Sequence, residues 1–310
     1  SQKILVLGAS GYVGSHIVRS LRNKMVKHVT LNRGEINIFD PKELSKFIKK
    51  NRISKLINCV GYTGKPNVDA CEYNKDNCLM YNAILPSKIA IACENTKIKW
   101  CHISSGCIYD GYRKDGYTEQ DEPNFCFGSK CSYYSGTKAL SEKIITNLTD
   151  NCYIMRLRIP FTNIDNQRNY ISKLLSFKIL NDQQNSLSNL YEFSDACVDS
   201  LIRDLPTGVY NLTNPGSISA PEIIDMAQSI WGKKIDYETI NPNELHTFTP
   251  RSNCVLNTYK AQLNGLEFDD IKVSIEKVLR SWNRQDNKHE IYCNRRKWFH
   301  WNSFSNQIAE

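Results

Sequence analysis

Nowhere in these 310 residues does an apolar run approach the ~20 needed to cross a bilayer. The first apolar stretch, Ile4 to Leu7, is too short for a signal-peptide core and runs straight into glycines, so the expectation is a cytoplasmic protein with no membrane partner. There is no Cys-x-x-Cys pair and no histidine pair at metal-ligand spacing, which leaves no metal site to propose. The twelve cysteines are scattered instead, as reduced, small buried hydrophobes would be. Internal repeats and low-complexity linkers are also missing. The charge is only mildly one-sided at +8, much of it in the stretch from Lys288 to Lys297. That balance suits an anionic small molecule as well as nucleic acid and does not decide between them.

What is present is alternation. Lys3–Leu7 reads as a buried strand, 12–22 as a helix, 28–31 as a second strand, and Asp40-Pro41 as a helix start with aspartate as cap. Strands follow at 55–60, 98–104 and 152–157, with helices at 80–93 and 131–147. Residues 106–130 form a long loop over a site. The pattern predicts an α/β fold, a doubly wound parallel sheet of Rossmann type with a smaller C-terminal substrate-binding part. The expected division is 1–158, 159–283 and a basic-aromatic tail, 284–310. Within the second part, helices are expected at 170–180, from the capping box Ser219 to Glu222 through Trp231, and at 271–282. A strand near 208–212 returns to the first sheet. The tail reads as a loosely docked terminus rather than a nucleic-acid contact.

Gly8, Gly11 and Gly14 follow the first strand and open the first helix. Glycine permits a tight turn and close approach to a pyrophosphate resting on the helix N-terminus. Ser10, Tyr12 and Val13 belong to the same turn. A site for NAD usually places a carboxylate at the end of the second strand. Here Asn32-Arg33 stands there, and an arginine attracts the 2′-phosphate of NADPH. Arg33 also reads as a plain surface residue. Asp40, placed after the third strand, reads either as an adenine contact or only as the helix cap. Cys59, Val60 and Gly61 end the next strand.

Tyr134 and Lys138 stand one helical turn apart on one face. An ammonium beside a phenol lowers the tyrosine pKa, so that the phenol can serve as an acid toward a carbonyl oxygen. With the glycine turn and Ser104-Ser105 ending a strand, the set resembles the extended short-chain dehydrogenase/reductase family. That resemblance implies that Ser105 holds the substrate oxygen, that Lys138 also binds the nicotinamide ribose, and that Pro160 lines the cofactor.

Five further blocks occur in order: 61–72, Gly106-Cys107-Ile108-Tyr109, 168–173, 211–216 and Pro250-Arg251-Ser252-Asn253. They resemble the plant and viral nucleotide-rhamnose synthase/epimerase-reductase group, with dTDP-4-dehydrorhamnose reductase and GDP-fucose synthase as wider relatives. The group turns UDP-4-keto-6-deoxy-glucose into UDP-L-rhamnose by inverting C3 and C5 and reducing the C4 ketone. By resemblance Cys107 and Lys173 are the base and acid of epimerisation, and Asn67, Arg168, Asn169 and Arg251 bind the nucleotide sugar. On the residues alone, Cys107 reads as a packing cysteine and Lys173 as an exposed helix lysine. The resemblance also implies a homodimer paired through the Tyr134 helix. Two other readings stand beside it: a reductase without epimerase activity, and a non-catalytic nucleotide-binding protein on the same fold.

Overall fold

The computed structural model describes residues 2–244 and 247–283. Strand β1 (Lys3–Leu7) sends alternate residues to opposite faces: Ile4 and Val6 enter one apolar cluster, Leu5 and Leu7 the other. Helix α1 (Tyr12–Asn23) covers the first cluster with Ile17, Val18 and Leu21 at helical spacing. Beyond β2 (Lys27–Thr30), α2 (Pro41–Lys50) covers the second with Leu44 and Ile48. Asp40 precedes β3 (Lys55–Asn58) rather than following a third strand, and its carboxylate accepts the Lys42 amide at 2.8 Å as the α2 cap.

The helix expected over 80–93 starts earlier and is not uniform. After α3 (Ala70–Tyr73) come α4 (Lys75–Leu79), a π turn (Met80–Ile84) and α5 (Leu85–Thr96). Pro86 has no N–H to give and its ring crowds the carbonyl four residues back, so the chain widens just before it. The π turn carries Asn82, whose amide pairs with both backbone groups of Tyr62 and reaches Thr137.

β4 (Lys99–Ser105), α6 (Tyr133–Leu148) and β5 (Cys152–Leu157) complete the alternation. Next come β6 (Pro160–Phe161), α7 (Tyr170–Ser176), β7 (Ile179–Asn181), β8 (Ser188–Asn189) and α8 (Leu190–Ile202). The expected helix 170–180 thus stops at Ser176, because Phe177 is extended (φ −83, ψ 141) and 179–181 pairs in parallel with residues 238–240. Helix α8, for which no element was expected, is capped by Asn189 and lays Leu190, Phe193, Cys197 and Leu201 on the α1 side of the sheet. The chain closes with β9 (Gly208–Asn211), α9 (Ala220–Trp231), β10 (Glu238–Ile240), α10 (Tyr259–Leu263) and α11 (Ile271–Arg280).

The main sheet has six parallel strands in the order β2-β1-β3-β4-β5-β9. Its helices lie on both faces, as expected. A third apolar cluster, from Phe161, Ile171, Leu174, Ile223, Ile224 and Ile275, has all its buried members after residue 160, with Ile159 packed against it. Strand order reverses beside β1, so the crevice for a ligand opens at the carboxyl ends of β1, β3 and β4. The expectations placed on 284–310 lie outside the described residues.

Candidate active site

The glycine turn fits a pyrophosphate. A Cβ on Gly14 would stand 2.0 Å from the Gly8 carbonyl oxygen, and one on Gly8 (φ +74) 2.9 Å from the backbone of Cys59 and Val60. The turn and the end of β3 are therefore in backbone contact, which only glycine allows. Gly11 is the N-cap of α1 and offers no capping side chain, and no acid occupies the first turn. The free N–H groups and positive end of a twelve-residue helix face the crevice end of β1. The Tyr12 hydroxyl is buried, and burial pushes its pKa up to about 12 against the opposing pull of the nearby Thr162 hydroxyl. Val13 packs on the first cluster and Ser10 is exposed. Asn58 holds the Val60 amide at 3.1 Å, and Gly61 leaves room for Asn82. Pro160 pairs with Ser188 in the small β6–β8 ladder.

Asn32 and Arg33 lie on an exposed turn after β2. Glu35, the acid closest in sequence, accepts the backbone and side-chain N–H of Asn32. Arg33 makes no ion pair among the described residues. Asp40 caps α2 through one carboxylate oxygen, and the structure shows no hydrogen bond to the other among the described residues.

Ser105 ends β4 and accepts the Cys107 amide at 3.0 Å. The Tyr134 hydroxyl lies near Ser105, whose side chain works against the rise of the phenol's pKa. Ser132 caps α6, Glu72 accepts the Tyr133 amide at 2.8 Å, and Phe127 of the long loop lies where a Cβ on Gly136 would be. Together these fix the first turn of α6.

Lys138 differs from expectation. Its ammonium donates to the Ile103 carbonyl at 2.9 Å, and burial lowers its pKa to about 8 against the opposing charge of Glu142. The Tyr134 pKa moves up, not down: burial dominates, the nearby Cys107 adds to it, and the Ser105 side chain opposes. The phenol therefore holds its proton at neutral pH, which is the form that can give one. Beneath it, Glu142 is fixed by Ser104 at 2.5 Å and by Arg156 at 2.8 Å.

The cation at Cys107 is not Lys173. Arg158, fully buried, donates to the Cys107 sulfur at 3.1 Å. Lys173 stands instead with Arg168 and Arg251, which lower its pKa further after burial has done so. Arg168 donates to Thr63 at 2.8 Å. Arg251 bridges Asp69 at 2.9 Å and keeps a second buried nitrogen without a partner. Asp69 also takes the Thr249 hydroxyl. Asn67 accepts the Asp69 amide at 2.8 Å and so shapes this loop. Of these three cations, only Arg251 pairs with a carboxylate among the described residues, and the positive charge left over suits a diphosphate.

Asn169 is a correction. It is wholly buried, its carbonyl accepts from Thr162 and Ile171, and its amide donates to Thr162 and Ile164. No donor or acceptor is left for a ligand. Arg158 is the residue the sequence expectation missed. Its only local signal was a second charged residue in an otherwise apolar strand end, Met155-Arg156-Leu157-Arg158.

No described helix is long and apolar enough to cross a membrane. Comparison with known proteins agrees with the geometry. The chain is 28% identical to a bifunctional dTDP-4-dehydrorhamnose 3,5-epimerase/dTDP-4-dehydrorhamnose reductase of Arabidopsis thaliana, over 90% of this chain and 93% of that one. It is 30% identical to a trifunctional UDP-glucose 4,6-dehydratase/UDP-4-keto-6-deoxy-D-glucose 3,5-epimerase/UDP-4-keto-L-rhamnose-reductase of the same plant, of which it spans 42%. Among solved structures, a UDP-rhamnose synthase from Acanthamoeba polyphaga mimivirus superposes with a TM-score of 0.83 at 25% identity, over 90% of this chain and 99% of that one. A dTDP-4-dehydrorhamnose reductase from Bacillus anthracis in complex with NADP shares the fold with a TM-score of 0.74 at 20% identity, over 91% and 97%. The pattern of the RmlD substrate binding domain matches residues 2–284, and the chain belongs to that family.

Proposed function

We propose that this protein is an NADPH-dependent reductase of a nucleotide-linked 4-keto-6-deoxy sugar that also epimerises C3 and C5, giving UDP-L-rhamnose. The observation that carries the proposal is the grouping of Ser105, Cys107 and Tyr134 at the end of β4, backed by buried Lys138 and Arg158. Bound NADPH supplies hydride to C4. The glycine turn would seat its pyrophosphate on α1, and Arg33 would meet its 2′-phosphate.

The chain's own residues do the rest. Ser105 and Tyr134 donate to the C4 oxygen as it gains charge. Tyr134 keeps its proton until that oxygen becomes basic enough to take it. For epimerisation, Cys107 removes the proton from a carbon flanking the ketone, while the same two hydroxyls hold the enolate oxygen. Lys173, its pKa lowered by burial and by the two nearby arginines, returns a proton on the opposite face. Arg168 and Arg251 hold the diphosphate. A homodimer paired through α6 belongs to the same reading, and sedimentation tests it.

A second reading has one observation in its favour. Lys173 sits with the two arginines rather than at Cys107, as a third phosphate contact would, and that suits a reductase alone. Supplying UDP-4-keto-6-deoxy-glucose with NADPH separates the two. NADPH loss with an L-configured product supports the first. NADPH loss with C3 and C5 retained supports the second. No NADPH oxidation sinks both.

A further inference from the structure

Two arginines leave β5 two residues apart, and they are not treated alike. Arg156 is neutralised by Glu142, with Nε and Nη2 at 3.0 and 2.8 Å from its two oxygens. Arg158 has no carboxylate within ion-pair distance among the described residues, although none of its surface is exposed. Its Nη1 donates to Ser252 Oγ at 3.0 Å and to Cys107 Sγ at 3.1 Å. Its Nη2 donates to the Ser252 carbonyl at 3.0 Å and to Asn185, while Nε has no partner. A buried charge surrounded by neutral acceptors costs several kcal/mol. Of the groups it touches, the Cys107 thiol is the one that readily becomes an anion.

The backbone is bent to bring this about. Ile159 lies at φ +41, a left-handed conformation that a β-branched residue adopts only under strain. Gly106 makes room: a Cβ there would meet Leu256 at 2.6 Å and the Arg158 side chain at 3.4 Å. The groups facing Cys107 are Arg158 from the β5–β6 link, Tyr134 from α6, and Cys254 from the 247–257 segment, and Arg158 alone among them is positive.

We propose that Arg158 is a positioning residue for the epimerisation half of the reaction, holding the Cys107 sulfur by a charge-assisted hydrogen bond as it takes a proton from the carbons flanking the ketone. The inference rests on the epimerase reading above. In the step, the C–H proton goes to sulfur and its electron pair moves to the C4 oxygen. A proton from the Lys173 ammonium then closes the new C–H bond, and solvent resets both groups.

The first test needs no variant. In the wild-type protein at neutral pH, iodoacetamide should alkylate Cys107 about tenfold or more faster than half-buried Cys126 and Cys131, because the thiolate is the nucleophile. Equal rates overturn the inference. The second compares deuterium wash-in at C3 and C5 with NADPH oxidation on an already epimerised ketosugar. Arg158→Met should slow wash-in by about tenfold or more, more than it slows oxidation, and the deficit should shrink as the pH is raised. Arg158→Lys, which keeps the charge, should recover part of the exchange. Undiminished wash-in in Arg158→Met, or a loss that is equal for both activities and independent of pH, contradicts the role. If Arg158→Met does not fold, Arg158→Lys and the alkylation ratio decide. A wild-type protein that exchanges no deuterium removes the epimerase reading itself, while the alkylation ratio still reports on the Arg158–Cys107 contact.

Discussion

Gly14→Ala sets two effects of opposite sign against each other. Gly14 lies inside α1, and alanine at a helical position is favoured over glycine by about 1 kcal/mol. Its new methyl group, however, would stand 2.0 Å from the Gly8 oxygen, 2.8 Å from the Gly8 carbon and 2.9 Å from Ala9 Cα. All three are backbone atoms, so the turn must open by at least roughly 1.4 Å to reach ordinary contact. Overpacking of that kind costs about 1–3 kcal/mol. The net is a loss of about 0–2 kcal/mol, which for a chain of this size lowers Tm by only a few degrees. The N–H groups meant for the pyrophosphate sit on the part that moves. NADPH affinity should therefore fall by about tenfold or more, roughly 1.4 kcal/mol. Calorimetric titration with NADPH measures that, and a melting curve measures the stability change. Unchanged affinity would show that the glycine turn is not the cofactor cradle, and a raised Tm would show that the clash is not felt.

Four more outcomes follow from the same geometry. Tyr134→Phe deletes one proton and keeps the ring, so C4 reduction should fall by about two to four orders of magnitude with NADPH binding nearly intact; near-normal turnover would remove the tyrosine from the mechanism. Arg33→Asp should erase the preference for NADPH over NADH, read as the ratio of the two kcat/KM values, and an unchanged ratio excludes Arg33 from the 2′-phosphate site. Lys138 has its pKa lowered to about 8 from 10.5, so the unfolded chain binds more protons between those values and stability from this residue rises as pH climbs through that window. Urea melts of wild type against Lys138→Met at several pH values should show that rise only in the wild type, and parallel curves refute it. Asn169→Ala strips the acceptor from the Thr162 and Ile171 amides and should destabilise by about 1–3 kcal/mol in urea; a loss of substrate affinity with stability unchanged would restore it to the binding site.

The sheet was legible because its information is local. β1 alternates, glycines mark its turn, and Asp40-Pro41 and Ser219 to Glu222 are caps written in neighbouring residues. Helix α8 was legible too, through the Asn189 cap and apolar residues at 190, 193, 197 and 201, but it lies in the half where the alternation had broken. The site was legible only in part. Tyr134, Lys138 and Ser105 lie at strand and helix ends, and position alone finds them. What each touches is set by distant chain. Lys138 meets the Ile103 carbonyl, Lys173 meets Arg251, and Cys107 meets an arginine 51 residues away. The direction of the Tyr134 pKa was misread for the same reason. Spacing gives the neighbouring lysine, but not the burial that outweighs it.

The central claim is that one site performs two proton exchanges and one reduction on the same sugar. Its most direct test is to run the wild-type protein with UDP-4-keto-6-deoxy-glucose and NADPH in deuterium oxide and to count deuterium in the product against NADPH consumed. The account predicts one NADPH oxidised per product molecule, with solvent deuterium at both C3 and C5 and inverted configuration at each. A reduced product with hydrogen retained at both carbons would contradict it.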